Sequence, residues 1–467
     1  MGYNPGMQNK RKKILGAIIA VVVLLAVVMS LPPVWSRITY HSRVAYRTVK
    51  YWLKPPSEAV FVPSANNDDF GATSVSAAVT TDTPTPQPTT EPTAIPSQFT
   101  PEATSLPTFT PTPTLTATPT QIPLPSSVLL TGILCERQFM NNCGPATLSM
   151  YLSFYDWGKN QLASGAVLRP NDKDVNVMPY ELVDFVNEHT AQKALWRYGG
   201  DLQTIKVLLN AGFPVMIERG FEPYSLRDDG WVGHYNLVVG YDDERQTLTV
   251  QDSYLMSYPP WGGTIPVDQW DTFIGFDFYY SELEQTWRSF NNVIIVVYPP
   301  ERESDVLNAL GPLATEEEAC RIAYDRAVQE TTSLTEIRDK FFAWFNAGTS
   351  LVCLQDYETA ASAFDTAFTI YPDISQDSRP YRILWYETGP YSAYYHSGRY
   401  QDVIKLADQT LGYMAEPVLE ESYYWRALSY HELGDTIRAV DDLRTSLKYH
   451  PGFAPSVDML KQLGKYP

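Results

Sequence analysis

The sequence predicts an α+β domain followed by an all-α domain of helical repeats, both placed behind a transmembrane helix and a disordered linker. Three observations carry this. An uncharged apolar run of eighteen residues, 14–31, follows Lys10, Arg11, Lys12 and Lys13. A Thr/Pro-rich stretch comes next, and beyond it the apolar pattern mixes helical and strand periods to about residue 300, then turns purely helical from about Thr315.

The run 14–31 is rich in Ile, Val, Leu and Ala and is long enough to cross about 30 Å of hydrocarbon. The sequence therefore predicts a basic cytoplasmic tail over 1–13, a transmembrane helix over 14–35 and a juxtamembrane segment over 36–79. A cleaved signal peptide is the competing reading, disfavoured by the length of the run and by Pro32, Pro33, Val34 and Trp35 where a small-residue cleavage site would stand. Basic residues flank the run on both sides, so charge does not fix its orientation.

Between Thr80 and Pro125, 28 of 46 residues are Thr or Pro, a composition that buries no core and favours extended polyproline-like backbone. At ~3.1 Å per residue this stalk, 80–127, could reach about 140 Å. A hydroxyl-rich spacer of that reach is expected outside the cell, which favours a cell membrane, single-pass topology with the distal domains extracytoplasmic.

Charge excludes a further class. Across 467 residues, 35 Lys and Arg face 53 Asp and Glu, a formal net charge of −18, and residues 1–60 hold nine of the basic ones. The distal chain is acidic throughout, so no nucleic-acid partner is expected. Four cysteines cannot form a disulfide scaffold in a chain of this length, and no Cys-x-x-Cys pair or His-rich tract suggests a metal, so no metal and no cofactor are expected.

Within 128–300, the segment from Gln138 through Asn141, Asn142, Cys143, Gly144 and Pro145 to Leu152 opens a helix at the cysteine. Pro145 suits a first turn, Leu148, Tyr151 and Leu152 recur at helical spacing, and Gly158 offers a stop. The free amides and positive dipole end of that helix favour a thiolate at Cys143. A nucleophilic cysteine needs a base, and this segment holds two histidines. His189 continues the stripe of Leu182, Phe185 and Val186 into the last turn of a helix and reads as structural. His234 opens an apolar strand that turns at Asp242, Asp243 and Glu244 and returns from Thr247 to Gln251, so Asp252 falls at the same end of the hairpin. Cys143, His234, Asp252 and the upstream Gln138, an oxyanion donor, together make a papain-like arrangement.

Those residues, with Ala211 to Ile217 and Gln251 to Tyr254, resemble the double-glycine, bacteriocin-leader-processing cysteine peptidases, in particular their stand-alone relatives. The resemblance covers about 170 residues. It implies a papain-like fold, triad roles for Cys143, His234 and Asp252, and the oxyanion role for Gln138. No ATP-binding cassette or multi-span membrane domain accompanies it, which argues against a bacteriocin substrate. Cys135 reads as structural, although a reversible disulfide to Cys143 would silence the nucleophile.

Over 315–467, Trp344, Gly348, Ala360, Phe364, Ala367 and Pro372 fall where tetratricopeptide repeats place small and aromatic residues. Ala427, Tyr430, Gly434, Ala439 and Pro451 do the same in a last copy, and Tyr394, Gly398, Tyr400 and Ala407 in a weaker middle one. Such repeats present a concave surface for a protein or peptide partner; a helical cap that only stabilises its neighbour is the plainer reading. Cys320 and Cys353 fall on predicted helices, where spacing alone decides no disulfide.

The expectation is thus a membrane-anchored cysteine peptidase acting on a peptide or protein substrate, with a repeat module that recruits substrate or partner. Two alternatives stand beside it. The same triad could serve a cell-wall peptide amidase or an acyltransferase, or the domain could be a catalytically silent scaffold for an adaptor.

Overall fold

A computed structural model describes residues 123–171, 173–222, 230–254 and 273–466, with short stretches inside 42–64. The predicted transmembrane helix over 14–35 and the Thr/Pro-rich residues up to 122 lie outside the described residues. No helix among the described residues is long and apolar enough to cross a membrane. The chain divides into one compact unit built from Met1–Pro63 and Leu124–Pro467 and a second over Ser64–Pro123.

The first unit is organised on one seven-stranded sheet: β1 (Ser127–Leu129), β2 (Lys193–Arg197), β3 (Val215–Phe221), β4 (Val232–Asp242), β5 (Thr247–Gln251), β6 (Phe276–Tyr279) and β7 (Ile294–Tyr298). Their order is β2-β7-β3-β4-β5-β6, with β1 also paired to β4, and each described pairing is antiparallel. Central strands β3, β4 and β7 are buried almost throughout; β7 is wholly apolar, whereas β3 and β4 interrupt their apolar residues with buried Glu218, Arg219, His234 and Asn236. One face carries α1 (Cys143–Ser153), α2 (Gln161–Leu168) and α3 (Pro179–His189) over Met216, Leu237, Ile295 and Val297. The other carries α4 (Leu202–Asn210), α5 (Tyr280–Trp287) and α6 (Glu303–Leu310) over Val215, Ile217, Val238 and Val296.

Helix α1 begins at Cys143 as its sequence predicts but ends at Ser153, before Gly158. The turn is made earlier, with Asp156 and Gly158 both at positive φ. The strand β4, its turn and the return strand β5 follow the expected hairpin. Gly240, at a bulge between them, is obligatory, because a Cβ there would stand 2.6 Å from the Val128 carbonyl of β1.

Beyond the sheet, α7 (Glu316–Ser333) leads into three helix hairpins: α8 (Ile337–Cys353) with α9 (Tyr357–Ile370), α11 (Gly389–His396) with α12 (Tyr400–Tyr413), and α13 (Glu420–Glu432) with α14 (Thr436–Tyr449). The short α10 (Ile383–Tyr386) joins the first two, and α15 (Ala454–Gln462) closes the array. Gln355, Gly398 and Gly434 hold the left-handed conformation in the three hairpin loops; the two glycines adopt it without a Cβ clash, while Gln355 adopts it against that cost. Gly348 lets α9 approach, since a Cβ there would meet the Phe364 ring at 2.8 Å. Ala360, Ala367, Ala427 and Ala439 are fully buried at the crossings.

Sheet and helices share a core. Trp231, Phe290 and Val293 pack with Phe341, Phe342, Phe345 and Tyr386 in one apolar cluster, so the helical region is not a separate bead. Phe61 belongs to the same cluster, edge-on to Phe368 at 5.0 Å between ring centroids.

Cys320 and Cys353 form a disulfide between α7 and α8, with Cα atoms 6.2 Å apart and a sequence separation of 33; Cys135 and Cys143 are not disulfide-bonded. Closing a loop of that length stabilises a fold by about 3–4 kcal/mol in the chain-entropy account. Reduction, or the Cys320→Ala/Cys353→Ala double variant, is expected to lower the urea unfolding free energy by roughly 3 kcal/mol.

Candidate active site

The site forms where the N-terminus of α1 meets the end of the β4–β5 hairpin. Register decides which side chains share a face. Gln251 pairs with Leu237, which sets Asp252 beside Asn236, two residues from His234 and therefore on its face of the sheet. Arg219 stands directly across from His234 on β3, on that same face.

Asp252 is completely buried and its carboxylate is saturated. Oδ1 lies 2.9 Å from His234 Nε2 and accepts from the Tyr254 amide at 2.8 Å; Oδ2 accepts from Asn236 Nδ2 at 2.8 Å and lies 3.7 Å from an Arg219 guanidinium nitrogen. Arg219 in turn donates to Asn236 Oδ1 and lies over the Phe278 ring, 4.8 Å from its centroid. With Nε2 committed to the carboxylate, Nδ1 of His234 is left for the thiol of Cys143, with which the ring is hydrogen-bonded.

Burial by itself would push the Cys143 thiol up, yet its hydrogen bond to His234, the imidazolium charge and the amides of Tyr235 and Gly144 outweigh burial and hold it below the ordinary thiol range. Burial would likewise lower His234, but the Asp252 carboxylate and the Cys143 sulfur raise it to about 9. The arrangement thus favours a thiolate–imidazolium pair at neutral pH.

The loop ahead of Cys143 is braced through groups that no motif marks. Asn142, the residue before the helix, does not cap it. Its Nδ2 donates to Gln161 Oε1 at 2.7 Å and its Oδ1 accepts from Arg169 at 2.9 Å. No side chain therefore caps the first-turn amides of α1, which leaves that end open to an anion. Thr147 ties the helix to the Tyr235 carbonyl of β4 at 3.2 Å.

Gln138 is half-buried. Its backbone amide donates to the Ser253 carbonyl at 3.1 Å and its Oε1 accepts from the Ser253 hydroxyl at 2.8 Å, so it is anchored one residue past Asp252 with the amide nitrogen as its free end. The structure brings Cys143, His234 and Asp252 into one hydrogen-bonded chain and fixes Gln138 to the same hairpin end. His189, by contrast, closes α3 against the Phe185 ring, away from this cluster.

Sequence reasoning missed Arg219, Asn236 and the contribution of the helical region. Asn236 could have been found as the second same-face residue after His234. Tyr386 packs against Gly233, where a Cβ would stand 2.9 Å from its ring, immediately beside His234. Next to it a cavity of about 270 Å³ is lined by Trp196, Tyr198, Glu218, Tyr386 and Glu387 among others. Glu218 is buried there, with Oε1 unpartnered among the described residues, and burial raises its carboxyl well above the usual range.

Burial also raises Glu387 to about 8, although it accepts a hydrogen bond from Thr349 at 3.0 Å. An unfolded glutamate ionises near 4.3, so between that pH and about 8 the unfolded chain releases a proton that the fold keeps. Stability is expected to fall as pH rises through this window. Glu387→Gln should flatten the fall, raising the melting temperature over the parent by several degrees at pH 8 and changing it little at pH 5, as thermal unfolding at the two pH values will read.

Residues 130–270 match the peptidase C39-like family. Among solved structures, a protein from Bacillus anthracis described as a C39-like peptidase aligns with 15% identity and a TM-score of 0.28, over 37% of this chain and 96% of its own. No curated protein matches the chain. The family match points to a peptidase of the cysteine type.

Proposed function

We propose that the chain is a papain-like cysteine peptidase in which Cys143 is the nucleophile, His234 the acid–base and Asp252 the group that orients the imidazole. The observation that carries this is the hydrogen-bonded run from Cys143 at a helix N-terminus through His234 to a fully buried Asp252. The thiolate would attack a peptide carbonyl, with the oxyanion received by the Gln138 amide nitrogen and the first-turn amides of α1. His234 would then protonate the leaving amine, and water would release the acyl group from sulfur.

The helical region would act as more than a cap, because its Tyr386 packs on Gly233, next in sequence to His234. Its hairpins are proposed to be tetratricopeptide-like and to recruit substrate or partner. The chain would be held at a membrane by residues 14–35, with the peptidase on the extracytoplasmic side. The Cys320–Cys353 disulfide suits that compartment.

Incubating the full chain with a defined peptide library and sequencing the new termini by mass spectrometry tests the reading. Cleavage that disappears in Cys143→Ala supports it; adducts on an added amine in place of new carboxyl termini would assign acyl transfer instead. No cleavage and no adduct would leave the scaffold.

A further inference from the structure

A second cluster of titratable groups lies where the sheet domain meets the last helix hairpin, and the peptidase reading makes no use of it. Asp174 comes from the loop before α3, Glu181 from the first turn of α3, Glu420 and Glu421 from the first turn of α13, and His450 from the C-cap of α14. Donor atoms of Asp174, Glu420 and His450 all lie within 4.8 Å of one another. His450 Nδ1 stands 2.6 Å from Glu420 Oε1 and 4.0 Å from Glu181 Oε1. The other oxygen of Glu181 accepts from the Met178 amide at 2.7 Å, which leaves Oε1 turned toward the imidazole.

Four carboxyl groups so crowded need either protons or a cation. Asp174, Glu420 and Glu421 are 4%, 3% and 6% exposed, and Glu421 has no side-chain hydrogen bond to any other described residue although it faces Glu420, Asp174 and Glu181. Arg169 also faces Asp174, and its guanidinium donates to the Asp174 carbonyl at 2.7 Å and to Asn142 Oδ1 at 2.9 Å.

We propose that Asp174, Glu181, Glu420 and His450 bind one divalent transition-metal ion of the Zn²⁺ or Mn²⁺ type, with Glu421 adding negative charge beside it. Carboxylate oxygens with one imidazole and no thiolate suit those ions, whereas Ca²⁺ prefers six to eight oxygens. The ligands span 174 to 450, so no local spacing motif announces them. The ion would pin α13 and α14 to the loop behind the nucleophile: the Asp174 carbonyl is bonded by Arg169, which also holds Asn142, and the Val177 carbonyl accepts from Tyr235 at 2.8 Å.

The test uses the full chain stripped with EDTA, then titrated calorimetrically with ZnCl₂, MnCl₂ and CaCl₂ separately, with bound metal counted by mass spectrometry after desalting. One Zn²⁺ or Mn²⁺ per chain at micromolar or tighter affinity is expected, with a melting temperature raised by about 5 °C at saturating ion. His450→Gln and Glu420→Gln should each weaken binding at least about tenfold, and Cys143→Ala should leave it unchanged. If circular dichroism shows either ligand variant unfolded, Asp174→Asn and Glu181→Gln give the same reading. Binding lost in Cys143→Ala, binding indifferent to the four ligand variants, Ca²⁺ alone bound, or no ion retained would each overturn the proposal. None of these outcomes depends on whether the chain is a peptidase.

Discussion

Cys143→Ala is expected to abolish peptide cleavage, and the unmodified chain should react with iodoacetamide at Cys143 much faster at pH 7 than a free thiol does. The reason is electrostatic. An ordinary thiol at pH 7 is a few per cent thiolate, whereas the Cys143 thiol is held down by its hydrogen bond to a positively charged His234. His234→Ala removes that partner and leaves burial, which raises the thiol, opposed only by the Tyr235 and Gly144 amides; alkylation at pH 7 should drop by at least about tenfold. Cys135, buried with its sulfur 3.4 Å from the Phe273 carbonyl, provides an internal comparison and should label slowly in every variant.

The pH dependence follows from the same pair. His234 has its folded pKa raised to about 9 from an unfolded value near 6.5, so the stability that its charge contributes is complete below pH 6.5 and is lost as pH rises through 9. Cleavage should follow the ion pair, rising as the thiolate forms and falling as the imidazolium loses its proton near pH 9. A profile with no alkaline limb, or alkylation indifferent to His234, would remove the nucleophile assignment and favour the scaffold.

Much of this site was legible because its parts are local. Asn142, Cys143, Gly144 and Pro145 announce a helix start, and the hairpin from His234 to Gln251 is written in its own apolar pattern, so Asp252 could be placed by strand pairing alone. Arg219 could not, because its position depends on β3 lying beside β4 in a register that only the folded sheet fixes. Glu218, Tyr386 and Glu387 depend on packing between segments more than 150 residues apart, for which a sequence holds no period. The disulfide belongs to the same class, since helix positions give no distance. Phe61 belongs there too: the short apolar run Ala59 to Pro63 gives no sign of the surface it covers, which is built from residues about 300 positions further on.

Asp252→Asn is expected to cost ~10²–10⁴ in turnover, because an amide can still accept from Tyr254 but no longer favours the imidazolium or fixes its tautomer, and it also costs stability by leaving buried Arg219 without its carboxylate partner. Asp252→Ala goes further. It strips even the acceptor oxygens from a site where Arg219 is itself 3% exposed, and leaves that guanidinium with Asn236, the Gly220 carbonyl, two aromatic faces and only the weaker pull of Glu282. Breaking a buried pair from one side destabilises by about 3–5 kcal/mol, so Asp252→Ala should lose both activity and stability. Adding Arg219→Met to Asp252→Asn separates the two roles. The double variant has no buried charge left to compensate and should unfold within about 1 kcal/mol of the parent, yet its turnover should remain as low as that of Asp252→Asn alone. Turnover recovered together with stability would mean that Asp252 serves only to neutralise Arg219, and the orienting role assigned to it would fall.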